Sequence, residues 1–145
     1  MYGGKYRFKF YLNARHKVKI DNKNSNDHPH TWELVLHIQK RTEDLVPFSS
    51  LEKKVREYLS FYEGKLINDI FPFESIEPTM ENIGEVIGDQ ITDVLNSLGW
   101  DLSKLEISEN PTRTYILSKN NRLSDDKQSD FSSNEVTERD IEAYF

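Results

Sequence analysis

The chain has no cysteine. That absence excludes disulfides, thiolate nucleophiles and cysteine-ligated zinc, and it fits a reducing compartment. Long apolar runs are missing too: no stretch approaches the ~20 residues of a membrane-spanning helix, and Met1 is not followed by the basic-then-apolar pattern of a secretory signal. Positive charge is outnumbered, with 19 Lys and Arg against 25 Asp and Glu. A formal net charge of −6 suits phosphate backbones poorly, so nucleic acid is not the expected partner. There are no internal repeats. Together these absences predict a soluble, acidic, cytoplasmic protein with neither a nucleic-acid nor a membrane partner.

What remains is enough for one domain. The chain has 145 residues, 36% of them apolar and 30% charged, which makes a modest core. A thin core spread over a sheet draws extra burial from contacts between subunits.

The four histidines are distributed unevenly. His28 and His30 lie two apart in Asp27-His28-Pro29-His30-Thr31-Trp32, so an extended backbone sends both from one face. His16 ends an alternating run in which Tyr6, Phe8, Phe10, Leu12 and Ala14 share its face. Three neutral imidazoles with one open position form the ligand set of a catalytic zinc centre. His37 is out of phase with His28 and His30 and reads as a surface histidine.

Periodicity gives the remaining elements. Residues 5–16 and a run from His28 read as antiparallel strands joined by a polar loop over 17–27. Ser49 opens a Ser-x-x-Glu capping box with Glu52, predicting a helix over about 50–62. An irregular connection containing Pro72 and Pro78 leads to Thr79, which caps a second helix over about 80–98 that Gly99 terminates. Strands are predicted near 103–109 and 112–118, with Asn110-Pro111 between them. The polar composition from Lys119 onward predicts a tail over 119–145, outside a domain of 1–118, with a short helix near its end. The order ββααββ argues for an α+β fold, an antiparallel four-stranded sheet with two helices on one face and two open edges.

These residues together resemble a known family. Phe8-x-Phe10-x-Leu12-Asn13-Ala14-Arg15-His16, His28-Pro29-His30, Pro78-Thr79-Met80-Glu81-Asn82 and Glu109, in that order and spacing, are similar to the 6-pyruvoyl-tetrahydropterin synthase / 6-carboxy-tetrahydropterin synthase family. The resemblance runs from about Lys5 to Leu117. It implies the tunnelling fold, whose members join sheets edge to edge into trimeric barrels that pair into hexamers, with active sites between subunits. It also implies zinc held by His16, His28 and His30, and a reduced pterin such as 7,8-dihydroneopterin triphosphate as ligand. Glu109 matches the glutamate that anchors the pterin ring, accepting two parallel hydrogen bonds as a carboxylate does from an arginine fork. Thr79 falls at a substrate-binding position of the motif, although capping also accounts for it.

The catalytic positions depart from the family pattern. Asn24 stands where the family has a cysteine, and Lys23, Asn24, Ser25 and Asn26 supply no glutamate in its place. The family's Asp-His pair falls on Glu63-Gly64. An amide and a glycine cannot carry protons. Glu63 and Asp27 are therefore the candidate bases if the chain is a zinc-dependent carbon-oxygen lyase of this family. The alternative is a catalytically degenerate accessory protein that keeps the zinc site and binds a pterin- or purine-like ligand.

Overall fold

A computed structural model describes residues 3–43 and 47–119. The predicted tail helix lies outside these residues. Among the described residues, six strands and two α-helices occur in the order β1 (Tyr6–His16), β2 (Lys19–Ile20), β3 (Lys23–Asn24), β4 (His28–Lys40), α1 (Phe48–Leu59), α2 (Met80–Asn96), β5 (Trp100–Asn110) and β6 (Arg113–Ser118). The main sheet is antiparallel with order β1-β4-β5-β6. This is the expected α+β plan, ββααββ with one added hairpin.

Alternation builds the sheet. Phe10, Leu12 and Ala14 of β1 are buried while Lys9, Tyr11 and Asn13 are exposed. In β4 the core-facing set is Trp32, Leu34, Leu36 and Ile38, with Val35 buried on the opposite face. Both helices cover this apolar face, burying Leu51, Val55 and Leu59 from α1 and Ile83, Ile87 and Ile91 from α2. Close approach of α2 depends on Gly84, where an added Cβ would lie 3.0 Å from Ile107 Cγ2 and 3.3 Å from Tyr115 Cδ2.

Three expectations are corrected. The first helix begins at Phe48 rather than about residue 50, with Pro47 as N-cap and no side-chain cap, so Ser49 and Glu52 form no capping box. Pro47 already has φ −61°, an angle its ring imposes, and this sets the chain for helix entry without a hydroxyl. The helix also stops at Leu59, although Tyr62 beyond it is still buried. Finally, the 17–27 loop contains the β2–β3 hairpin, turned by Asp21 and Asn22 at φ 54° and 64°. Two successive positive φ values are what a two-residue hairpin of this hand requires.

The connection from α1 to α2 fastens onto the end of β1. Gly64 N–H donates to the Asn13 carbonyl at 2.7 Å, and Arg15 N–H to the Lys65 carbonyl at 2.9 Å. Asn68 then clamps Lys17, accepting from its N–H at 2.9 Å and donating to its carbonyl at 3.0 Å. Only part of the β1 edge is therefore open.

Candidate metal centre

Register assembles the site. His16 pairs with His28 across β1 and β4, and Ala14 pairs with His30. With side chains alternating between faces, that one register brings three imidazoles to the same end of the core face. Their ligand nitrogens all lie within 4.8 Å of one another. The ring centroids are 4.5 Å (His16–His28), 5.0 Å (His16–His30) and 4.8 Å (His28–His30) apart. Trp32, fully buried, forms the floor, 5.0 Å from His16 and 5.3 Å from His30 between centroids.

The surroundings fix which nitrogen faces inward. His16 Nδ1–H donates to the Pro78 carbonyl at 2.8 Å, and His28 Nδ1–H to the Asn26 carbonyl at 2.8 Å. The His30 ring bonds to the Glu109 backbone. Such outer hydrogen bonds orient metal-ligating imidazoles and place the proton on the nitrogen away from the metal. Among the described residues, Nε2 of His16 and of His30 are buried without a hydrogen-bond partner. Leaving a buried acceptor unsatisfied costs about 1–3 kcal/mol. A divalent cation accepting these lone pairs removes that cost, so the three histidines fit a metal.

Burial also holds the site in its ligating form. The His16 pKa is lowered first by desolvation and then by the neighbouring His28 and His30, against the opposing pulls of Pro78 and Glu109. Desolvation likewise lowers His30. Neutral imidazoles are the ones that bind metal.

Glu109 joins the cluster from β5. Its carboxylate is 15% exposed, with Oε1 3.8 Å from His16 Nε2 and 3.9 Å from His30 Nε2. Its Oε2 accepts from Arg113 at 2.9 Å. Thr79 sits at the N-terminus of α2, where its hydroxyl accepts from Asn82 N–H at 3.1 Å.

The two candidate bases are held elsewhere. Glu63 accepts from Asn13 N–H at 3.2 Å and from Asn13 Nδ2 at 3.1 Å. Asp27 is paired with Arg15 at 2.6 Å. Asn13 and Arg15 alternate with Ala14 and His16, so both carboxylates are engaged by side chains of the opposite sheet face. His37 is also on that face, bonded to Glu106 at 2.6 Å. Sequence reasoning missed Trp32 as the floor, Arg113 as the partner of Glu109, and the carbonyls of Asn26 and Pro78. Arg113 carried a usable signal, since Glu109-x-x-x-Arg113 spans the β5–β6 turn. The carbonyls carried none, because any residue type can supply one.

Known structures share this fold. A 6-pyruvoyl tetrahydropterin synthase from Caenorhabditis elegans superposes with TM-score 0.66 at 16% identity, covering 83% of this chain and 100% of that one. The enzyme from Plasmodium falciparum gives 0.61 at 15%, covering 81% and 98%. A Plasmodium vivax enzyme carrying alanine in place of a catalytic glutamate gives 0.60 at 17%, covering 81% and 98%. No curated protein matches the chain by sequence. The sequence profile of 6-pyruvoyl tetrahydropterin synthase does match, over residues 5–120. With that span, the fold and the motif order in agreement, the chain belongs to the 6-pyruvoyl tetrahydropterin synthase family.

Proposed function

We propose that the protein is a zinc-binding member of its family that acts on or binds a reduced pterin such as 7,8-dihydroneopterin triphosphate, as a cytoplasmic homo-oligomer, trimeric or hexameric. The observation that carries this reading is the trio of histidines with inward Nε2 atoms, two of them buried and unpartnered. Zinc at such a centre would polarise side-chain oxygens of the ligand and so ease removal of protons from the adjacent carbons. His16, His28 and His30 would hold it. Glu109 would accept the paired hydrogen bonds of the pterin ring, sharing its carboxylate with Arg113, and Thr79 would line the same pocket from the start of α2.

In the lyase reading, Glu63 or Asp27 moves the proton. Each would have to leave its present partner, or serve the centre of a neighbouring subunit, since Asn13 and Arg15 engage them away from the histidine face. That same engagement favours a second reading, in which the protein binds a pterin- or purine-like ligand without turning it over. One experiment separates the two. The purified zinc-loaded protein is given 7,8-dihydroneopterin triphosphate, and release of triphosphate and ligand binding are measured in parallel. Turnover lost in Glu63→Gln or Asp27→Asn supports the lyase. Binding without turnover, abolished by Glu109→Gln, supports the second reading. Neither binding nor turnover refutes both.

A further inference from the structure

The Glu109 carboxylate has a second relationship to the histidines that ring anchoring does not require. With the outer nitrogens of His16 and His28 committed to the carbonyls of Pro78 and Asn26, the Nε2 lone pairs point inward. Glu109 Oε1, 3.8 and 3.9 Å from the Nε2 atoms of His16 and His30, is too distant for a hydrogen bond to either. A carboxylate oxygen facing imidazole lone pairs is repulsive unless a proton or a metal cation lies between them. The spacing suits that cation: zinc–nitrogen bonds of ~2.0–2.1 Å and zinc–oxygen bonds of ~2.0–2.2 Å, arranged tetrahedrally, separate ligand atoms by roughly 3.3–3.5 Å. Closing the gap between Glu109 and these two imidazoles requires a shift of only a few tenths of an ångström, while the three histidine nitrogens, spread over up to 4.8 Å, would draw in around the ion by a larger step.

We propose that, in the ligand-free protein, Glu109 is the fourth ligand of the metal, bound through Oε1 while Arg113 holds Oε2. The resting centre is then closed, with three imidazoles and one carboxylate around the ion. Any ligand that takes Glu109 for itself opens the fourth position as it arrives. Metal exposure is thereby coupled to occupancy of the pocket, and Arg113 sets how readily the carboxylate turns. The Arg113 guanidinium is mostly exposed, at 62%, so it can follow that movement.

The inference rests on the three-histidine reading of the centre and not on the identity of the organic ligand, so its test uses cobalt(II) alone, titrated into the metal-free full-length protein. Wild type should develop the intense visible absorption of four-coordinate cobalt. Glu109→Gln should weaken cobalt affinity by about 10–100-fold and change the band, and Arg113→Ala should weaken it by about tenfold. Circular dichroism and thermal melting establish that each variant is folded. Should Glu109→Gln not fold, Glu109→Asp, which withdraws the carboxylate by one methylene, is titrated in its place, with the same loss of affinity and change of band expected and an unchanged band and affinity overturning the proposal. A folded Glu109→Gln protein with an unchanged band and an affinity within about twofold of wild type overturns it as well. Such a result leaves the three-histidine centre standing. No cobalt binding by wild type refutes both, and neither outcome bears on pterin binding, which is read separately.

Discussion

His16 Nδ1 donates to the carbonyl of Pro78, 62 positions later, at 2.8 Å. One end of that bond is the last residue of β1, and the other immediately precedes the N-cap of α2. The helix start therefore orients an imidazole of the metal cluster, and the helix start is itself fixed by Thr79.

Thr79→Ala should consequently act at two levels. Loss of the cap should cost about 1 kcal/mol in urea denaturation of the metal-free protein. It should also lower metal affinity, because the Pro78 carbonyl is no longer held toward His16. Thr79→Ser, which keeps the hydroxyl, should restore most of both. Equal metal affinity in wild type and Thr79→Ala would break the link between helix start and imidazole.

Protein purified without chelator should carry close to one zinc per chain by elemental analysis. His28→Ala/His30→Ala should carry almost none. Zinc present at about a thousand times its Kd should raise unfolding stability by about 4 kcal/mol, visible as a fall in melting temperature when a chelator is added. A double variant that retains full zinc would place the metal elsewhere.

The pH response has a definite sign. Burial lowers the His16 and His30 pKa values in the folded metal-free protein, whereas both return to about 6.5 on unfolding. Between those values the unfolded chain holds more protons, so stability rises with pH. The contribution is fully present above about 6.5 and is lost as pH falls through the folded values. Glu85 and Asp89 act oppositely, since burial raises them above their ordinary 4.5 and 3.8. Urea midpoints of metal-free wild type should fall between about pH 7.5 and 5.5, and His30→Gln should show a smaller drop. An identical drop in the variant would assign the effect to other groups.

Two glycines on one face of α2 should respond in opposite ways to the same substitution. A Cβ at Gly88 meets Leu105 and Leu117 at 3.5 and 3.7 Å, ordinary contact distances, so Gly88→Ala should gain about 0.5–1 kcal/mol from helix propensity. At Gly84 the 3.0 Å approach to Ile107 forces a shift costing about 1–3 kcal/mol, which cancels or exceeds that gain. Denaturation midpoints should therefore rank Gly88→Ala above wild type and Gly84→Ala at or below it. The reverse order would show that the sheet can move away from the helix.

The histidine trio was legible because strand alternation and antiparallel pairing are short-range rules: once His16 closes one alternating run and His28 opens the next, few registers remain. Thr79 and Gly99 were legible as helix punctuation for the same reason. The capping box at Ser49 misled because its motif is chemically sound but Pro47, two residues earlier, had already set the helix entry. Nor did alternation alone show what Glu63 and Asp27 would do. Their partners Asn13 and Arg15 are 50 and 12 positions away, and which charged groups meet across a turn depends on the path of the whole connection. The placement of Glu109 beside the histidines, by contrast, was legible as alternation, because it is in phase with Leu105 and Ile107, which are buried in β5; what alternation could not give was its pairing with Arg113 across the β5–β6 turn.

The strap formed by Gly64 and Lys65 has a consequence for how chains can be joined. It occupies the outward main-chain groups of Asn13 and Arg15, leaving Arg7, Lys9 and Tyr11 to offer theirs. A strand docking on this border can run only along that window and must halt before Asn13. The strap works as a doorstop: it limits how far any strand docking there could slide along β1, and it denies the border the uninterrupted length on which fibrils grow.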